Sequence, residues 1–283
     1  MNILHLLNWH TQDIINNIHR IKEQGFTAIQ ISPVQPTKSD SSDWWNLYQP
    51  IGFSVGNRLG TKEQFIELCK VAKENGIDVI IDVVLRHLAG KDDGSLYPHD
   101  LCDKNLTSKR DYWLQPIEGN CNDRYQETNR CFGLPALNYF NEELINTYYK
   151  PFLQEVLTHA QGIRLDQAKH FSLPYEGGFH FWNMIKEVTR GKICYGECIN
   201  LPRHLLDDYC NYTMVLTDKW NLPTNSDNAI VFHETHDTYH SFGYTKDCSD
   251  YERLSEHEYN LSHFSNTIFF ARPFDVLPFS DKM

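Results

Sequence analysis

The sequence contains no run of about 18 apolar residues, which is the length that a membrane-spanning helix needs, so we expect no transmembrane helix. The N-terminal segment MNILHLLNWH has too short an apolar stretch for a secretion signal, lacks a basic start and shows no small-residue cleavage site. We therefore expect a cytoplasmic protein. The alternative is a secreted protein whose leader has been removed.

Cysteine is also scarce, because eight cysteines in 283 residues are too few for a disulfide scaffold. The spacing of Cys194 and Cys198 differs from that of paired Cys-x-x-Cys zinc ligands, so we expect both to be buried thiols. Cys102, Cys121 and Cys131 lie close together in a polar stretch. One disulfide among these three is expected only if the protein is exported.

Basic residues are fewer than acidic ones, with 26 Lys and Arg against 37 Asp and Glu, which gives a formal net charge of −11. This balance argues against a nucleic-acid groove, which needs clustered Lys and Arg to neutralise phosphates. Aromatic residues make up 13% of the chain, and there are 14 histidines. Flat rings and neutral imidazoles favour a polar, uncharged ligand, although such residues also fill cores.

Apolar, β-branched segments alternate with amphipathic segments along most of the chain, a pattern typical of a parallel sheet covered by helices. The segment IDVIIDVV (77–84) is almost continuously apolar, as in a strand that is buried on both faces. Eight strands are predicted, at 3–9, 27–34, 77–84, 162–166, 192–197, 212–218, 229–237 and 267–280. Their number and their interleaving with helices predict an α/β fold of the (β/α)8 TIM barrel class.

A polar stretch rich in Gly, Asp and Asn interrupts the alternation after the third strand. It predicts an inserted loop subdomain over 88–137, between the third strand and the third helix, with the barrel formed by 1–87 and 138–283. Too few residues follow the eighth strand for an eighth helix or a C-terminal β domain. We therefore expect neither, and a barrel that is open on one side, completed by a partner chain, or shortened.

Acidic side chains end three of the predicted strands, where barrel enzymes carry their chemistry. Asp166 ends the fourth strand, Glu197 the fifth and Asp237 the seventh. Three converging carboxylates suit glycoside hydrolysis, in which one attacks the anomeric carbon, one donates a proton and one stabilises the cationic transition state. Arg164 lies on the same strand face as Asp166 and is expected to keep it ionised. A metal site is the alternative, but Arg164 argues against a cation there.

Several segments resemble the signature segments of the α-amylase family, glycoside hydrolase family 13. Four of them occur in the family's order and on the expected strands: DVVLRH (82–87), GIRLDQAKH (162–170), GECI (196–199) and VFHETHD (231–237). WWNLYQP (44–50) is similar to the loop that follows the family's second strand, and LPALN (134–138) is similar to its fifth segment. The resemblance extends from residue 3 to about residue 281.

The resemblance implies Asp166 as nucleophile, Glu197 as general acid and base, and Asp237 as the stabiliser of the transition state. The substrate-binding residues that it implies are Trp45, Tyr48, Gln49, His87, Arg164, Lys169, His170 and His236.

Tyr48 would stack under the sugar that is cleaved, while His87 and His236 would bind its hydroxyls. Lys169 and His170 would meet the sugars on the leaving side. Three further residues are expected to be structural: Asp82 as a buried anchor, Trp44 as a packing residue, and Glu234.

Two positions depart from the family pattern. Arg86 stands where the resemblance implies an asparagine that binds calcium, and Ala136 stands where it implies an aspartate ligand. Because calcium takes six to eight oxygen ligands, we expect no metal and no cofactor. The guanidinium of Arg86 would take the place of the calcium and tie the inserted loop to the barrel. The alternative is that Arg86 points to solvent.

The resemblance implies a retaining glycoside hydrolase that cleaves α-1,4-glucosidic bonds of starch-like glucans or maltooligosaccharides by double displacement. An α-glucan transglycosylase and a catalytically weak glucan-binding homologue are the alternatives. An α-glucan is the expected partner, without nucleic acid or membrane, and the residues leave open whether the chain forms a homo-oligomer.

Overall fold

The computed structural model describes residues 1–116, 123–130, 133–241 and 243–272. Within these ranges eight parallel strands form a closed barrel, in which each strand pairs with the next and the eighth pairs with the first. The strands are β1 (Asn2–Leu6), β2 (Ala28–Ile31), β3 (Asp78–Val83), β4 (Gly162–Leu165), β5 (Ile193–Glu197), β6 (Met214–Asp218), β7 (Ala229–Phe232) and β8 (Thr267–Phe270). The predicted TIM barrel is confirmed.

The strand ladder is closed between the first and last strands, so of the three alternatives the described residues contradict only a barrel whose sheet is open on one side. Asn2 pairs with Thr267 and His5 with Phe270, which joins the first strand to the last along most of their length. Some strands are also shorter than the sequence predicts. β7 ends at Phe232 rather than at residue 237, because the residues that follow leave the ladder with β8 and turn into the connecting loop. The part of the predicted eighth strand beyond residue 272 lies outside the described residues.

Helices cover most of the strand connections. They are α1 (Thr11–Glu23), α2 (Lys62–Glu74), α3 (Lys104–Thr107), α4 (Arg124–Asn129), α5 (Glu142–Leu144, a π-helical turn Ile145–Tyr149, and Lys150–His159), α6 (Phe179–Val188), α7 (Arg203–Tyr209) and α8 (Asp250–His263). The connection from β6 to β7 contains a 3-10 turn, Ser226–Asn228. None of the helices in the described ranges is both long and apolar enough to cross a membrane.

Local sequence signals explain where the outer helices begin and end. The Thr61 hydroxyl accepts a hydrogen bond from the backbone N–H of Gln64, and the Gln64 side chain accepts one from the backbone N–H of Thr61, which caps α2. Gly76 has a positive φ of 69°, which an L side chain rarely adopts, and it turns the chain from α2 towards β3.

Two layers fill the inside of the barrel. The lower layer is apolar and includes Ile3, Ala28 and Ile80. Because strand side chains alternate between faces, the next inward position on β1 is His5 and the next on β3 is Asp82. These polar residues are buried and form, with partners from β2 and β4, a polar layer nearer the carboxyl ends of the strands.

The inserted segment is attached to the barrel along its last residues. The backbone N–H of Leu137 donates to the carbonyl of Arg86 (2.9 Å), and the N–H of Leu88 donates to the carbonyl of Pro135 (3.1 Å). The segments resembling the family's first and fifth signatures therefore lie side by side.

Of the three cysteines that could form a disulfide in an exported protein, only Cys102 is described. It is a free, buried thiol whose Sγ lies 3.7 Å from the carbonyl oxygen of Ala89. Cys121 and Cys131 lie outside the described residues. Cys194 and Cys198 are buried free thiols, as predicted.

Candidate active site

A cleft of about 780 Å³ opens at the carboxyl ends of the strands. It is lined by all the predicted site residues except Arg164: Trp45, Tyr48, Gln49, His87, Asp166, Lys169, His170, Glu197, His236 and Asp237. The residues come from five connecting segments that are far apart in sequence. The parallel strands bring them to one edge of the barrel.

Arg164 lies beneath the floor of the cleft, with 1% of its surface exposed. Its Nη1 donates to both carboxylate oxygens of Asp82 (2.8 and 2.9 Å) and to Oδ1 of Asp166 (2.8 Å). Its Nη2 lies 3.1 Å from Oε2 of Glu197. One guanidinium therefore fixes three carboxylates, and any effect of Arg164 on substrate is indirect, through these groups. Asp82 is fully buried, as expected of an anchor.

A tight turn after β4 brings Glu197 against the same group. Gln167 has a positive φ of 51°, and its backbone N–H donates to Oε2 of Glu197 (2.9 Å). The turn packs closely on β5, because a Cβ on Gly196 would lie only 2.4 Å from Cβ of Ala168. Only glycine fits directly before Glu197 without moving this turn.

An aromatic wall faces the acids. It begins with the 3-10 helix Trp44–Tyr48, in which the Tyr48 hydroxyl donates to Oδ2 of Asp82 (2.8 Å). The Tyr48 ring stacks on His236 with a centroid distance of 5.1 Å, and the Tyr48 carbonyl lies 2.8 Å from Nε2 of His87. Trp45 is 43% exposed. Trp44 packs edge-on against Tyr48 and also lines the cleft.

Burial determines the charge state of the two site histidines. It lowers the pKa of His87 to about 4 and that of His236 to about 4. Both imidazoles are therefore neutral near pH 7, where each offers one donor and one acceptor.

The pKa of Asp166 departs from expectation. Arg164 lowers it, as the pairing predicts, but burial is the larger effect and raises it, and the nearby carboxylates of Glu197 and Asp82 act in the same direction. The net pKa of Asp166 is therefore raised well above the usual aspartate range.

One wall of the cleft is built by the 3-10 turn Ala168–His170 and by the segment after β5. The Lys169 Nζ donates to the carbonyl of Ile199 (3.1 Å), which joins the two segments. Sequence reasoning missed several residues that line the cleft, namely Asp123, Arg124, Glu127, Leu134, Gln167, Ile199, Asn200, Leu201, Pro202 and Leu205. The only sequence signal for these residues was that each lies in or next to a signature segment, or within the polar insertion.

Glu234 is outside the cleft lining, in agreement with its expected structural role. Its carboxylate is buried and accepts from Nε (2.9 Å) and Nη2 (2.7 Å) of Arg272, and Oε1 lies 3.1 Å from Nε of Arg253.

The residues around Arg86 do not fit a calcium ion. Arg86 is only 3% exposed, so the alternative that it points to solvent is wrong. Its Nε donates to the carbonyl of His170 (3.1 Å), and its Nη2 donates to those of Thr128 (3.0 Å) and Arg130 (2.9 Å). A buried guanidinium thus donates hydrogen bonds to carbonyl oxygens of the kind that calcium requires, and its positive charge would repel a calcium ion.

The closed parallel barrel carries its acid-lined cleft at the carboxyl ends of the strands, which is where (β/α)8 enzymes hold their active sites. The family model described as "Alpha amylase, catalytic domain" matches residues 10–264. The chain belongs to the α-amylase family, glycoside hydrolase family 13.

Two curated relatives illustrate the similarity. An "Alpha-amylase" of Clostridium acetobutylicum is 36% identical over 177 residues, which cover 59% of this chain and 22% of that protein. An "Alpha-amylase-related protein" of Drosophila auraria is 30% identical over 187 residues, covering 60% of this chain and 37% of the relative. The matched regions thus span well under half the length of these relatives.

Among solved structures, α-amylase I from the earthworm Eisenia fetida superposes with a TM-score of 0.74 at 18% identity. The match covers 96% of this chain and 66% of that one. At this identity the likeness establishes the fold.

Proposed function

We propose that the chain is a retaining glycosidase that cleaves α-1,4-glucosidic bonds of starch-like glucans or maltooligosaccharides. The observation that carries the proposal is that Asp166 and Glu197 contact the same buried guanidinium at the floor of one cleft, which Asp237 also lines. Two carboxyl groups held together in this way suit double displacement, in which they lie about 5–5.5 Å apart.

In this mechanism Glu197 protonates the leaving oxygen while Asp166 attacks the anomeric carbon and forms a glycosyl intermediate. Glu197 then takes a proton from water, which releases the sugar with retained configuration. The first step requires that Glu197 carries a proton and that Asp166 is ionised. Arg164, which donates to Oδ1 of Asp166, favours the ionised form of Asp166 and opposes the effect of burial. Asp237 would stabilise the positive charge of the transition state.

Substrate binding follows from the two walls of the cleft. Tyr48 and Trp45 offer ring faces to sugar, and neutral His87 and His236 offer hydrogen bonds to hydroxyls. Gln49 adds an amide on the same wall. Lys169 and His170 would contact the sugars beyond the scissile bond.

We also propose that the chain works without calcium. The contacts of Arg86 with three backbone carbonyls support this proposal, since they already join β3, the inserted segment and the turn after β4. The aliphatic side chain of Ala136 offers no oxygen ligand.

The function is tested by incubating the purified chain with starch, maltotriose and pullulan and separating the products by chromatography. We expect shorter maltooligosaccharides, released as the α anomer in proton NMR. Asp166→Asn and Glu197→Gln should each lose at least about 100-fold in rate. The matched controls Asp78→Asn and Glu74→Gln change exposed residues and should keep wild-type rates.

Each other outcome has a distinct meaning. Products longer than the substrate would indicate transglycosylation, and binding of maltooligosaccharides without any product would indicate a weak glucan-binding homologue. Wild-type rates in either folded active-site variant would refute the assigned roles.

A further inference from the structure

The turn that carries Lys169 and His170 is held through three successive backbone carbonyls. Nη1 of Arg124 donates to the carbonyl of Lys169, and Nη2 donates to that of Phe171 (3.1 Å). The carbonyl between them, on His170, accepts from Nε of Arg86 (3.1 Å). Two arginines from different segments thus bind one short stretch of backbone on both sides of His170.

Arg124 is itself fixed in place. Glu176 binds it with both oxygens, at 3.0 Å from Nε and 2.9 Å from Nη2. The Tyr209 hydroxyl lies 2.6 Å from Nη2 and also 3.0 and 2.7 Å from the carbonyl oxygens of Lys169 and Phe171. Arg124 begins α4 and Tyr209 ends α7, so this contact joins the inserted segment, the turn after β4 and the helix after β5.

The same turn shapes the leaving side of the cleft. Its Lys169 side chain reaches the carbonyl of Ile199 (3.1 Å), and Lys169 and His170 both line the cleft. Glu127, one helical turn after Arg124, also lines the cleft, and its backbone carbonyl lies 3.4 Å from Nδ1 of His170. A shift of the Arg124 contacts would therefore move this wall. Asp166 and Glu197 are held by Arg164 as well, and Glu197 also accepts from the N–H of Gln167 at the start of the turn.

We propose that Arg124 is a positioning residue that sets the leaving side of the cleft for sugars beyond the scissile bond. The inference rests on the proposed function of the cleft. A purely structural arginine would affect every substrate alike. A positioning arginine would affect the KM of a substrate more strongly when more of its sugar units bind on the leaving side.

The test compares maltohexaose with α-maltosyl fluoride, whose leaving group is a single atom and which places no sugar on the leaving side. For Arg124→Gln we expect KM for maltohexaose to rise about tenfold, because the substitution removes charge-assisted hydrogen bonds that hold this wall. The kcat and KM for α-maltosyl fluoride should stay within about twofold of wild type. Tyr209→Phe, which is neutral and nearly isosteric, should shift KM for maltohexaose in the same direction by a smaller factor.

Arg130→Gln is the matched control. Arg130 directly follows α4, and its guanidinium packs over the ring of Tyr125 (5.8 Å). It should leave both substrates unchanged. Arg124→Lys keeps the charge but not the planar fork, so it should resemble Arg124→Gln in KM while folding more like the wild type.

Equal losses on the two substrates, or unchanged KM for maltohexaose in both Arg124→Lys and Tyr209→Phe, would overturn the inference. Failure of the proposed function looks different, because the wild type would then cleave neither substrate. In that case the inference is tested by measuring the binding of maltohexaose and of maltose by calorimetry. It requires that Arg124→Gln binds maltohexaose about tenfold more weakly than the wild type and binds maltose equally well. Equal affinities of wild type and variant would refute it.

Discussion

Replacing Arg86 with methionine should loosen the inserted segment from the barrel. The change removes three hydrogen bonds, to the carbonyls of His170, Thr128 and Arg130. Methionine keeps an apolar stem of similar length but donates no hydrogen bond. The carbonyl of Thr128 keeps a second donor, the hydroxyl of Tyr139 at 2.9 Å.

The size of the loss follows from these hydrogen bonds. Hydrogen bonds from a charged donor contribute about 1.5–3 kcal/mol each, so these three bonds together contribute about 4.5–9 kcal/mol. Removing the guanidinium also removes the cost of burying its charge, and one carbonyl keeps a partner, so we expect a net loss of about 3–5 kcal/mol. For a chain of this size about 2–4 °C per kcal/mol corresponds to a fall in Tm of about 6–20 °C.

Thermal unfolding followed by circular dichroism, with and without excess EDTA, measures this effect. The wild type should keep its Tm and starch activity in EDTA, and Arg86→Met should lose Tm equally in both conditions. The matched control, Arg58→Met, changes an arginine that makes none of these three hydrogen bonds. A fall in wild-type Tm or activity on chelation would refute calcium independence. A shift below about 2 °C in Arg86→Met would refute the role of the guanidinium.

The remaining predictions concern residues around the cleft and one outside it. Tyr48→Phe removes the hydrogen bond to Asp82, so the free energy of unfolding should fall by about 1.5–3 kcal/mol in urea titrations; an unchanged midpoint would contradict this role. Glu234→Gln removes the carboxylate that pairs with Arg253 and Arg272 and should cost about 3–5 kcal/mol while starch turnover at 25 °C stays within twofold; lost turnover at unchanged Tm would argue for a catalytic role. Burial lowers the pKa of His257 to about 4, so its neutral form stabilises the fold above about pH 6.5 and this contribution is lost as pH falls towards 4. Between pH 7 and 4.5, His257→Gln should therefore lose about 2–3 kcal/mol less stability than the wild type, and equal losses would contradict the lowered pKa.

The barrel and the positions of its acids were predictable because their signals are local. Continuous apolar runs mark strands buried on both faces, and a polar residue at the end of such a run lies at the rim of a parallel barrel. Asp166 and Glu197 could therefore be placed together although 31 positions separate them. The end of β7 was predicted less well, because the polar residues 233–237 include no Gly or Pro to mark the point where the ladder to β8 stops.

The wall of the cleft that carries Lys169 and His170 could not be predicted in the same way. Arg124 lies in a polar insertion without periodicity, and its partners Glu176 and Tyr209 are 52 and 85 positions away. The pKa of Asp166 was misjudged for a related reason, since the sequence reveals the nearby Arg164 but not the burial that outweighs it. Both depend on packing between distant segments, which only the assembled fold defines.

The pairing of β1 with β8 also has a consequence for synthesis on the ribosome. Ile3 pairs with Ile268, so β1 gains its second neighbouring strand only after most of the chain has been synthesised. At about 5–20 residues per second this interval lasts roughly 13–50 s, during which one edge of β1 can pair with another chain. The nascent barrel is therefore most exposed to aggregation before β8 emerges, and a chaperone that shields β1 would act in this interval.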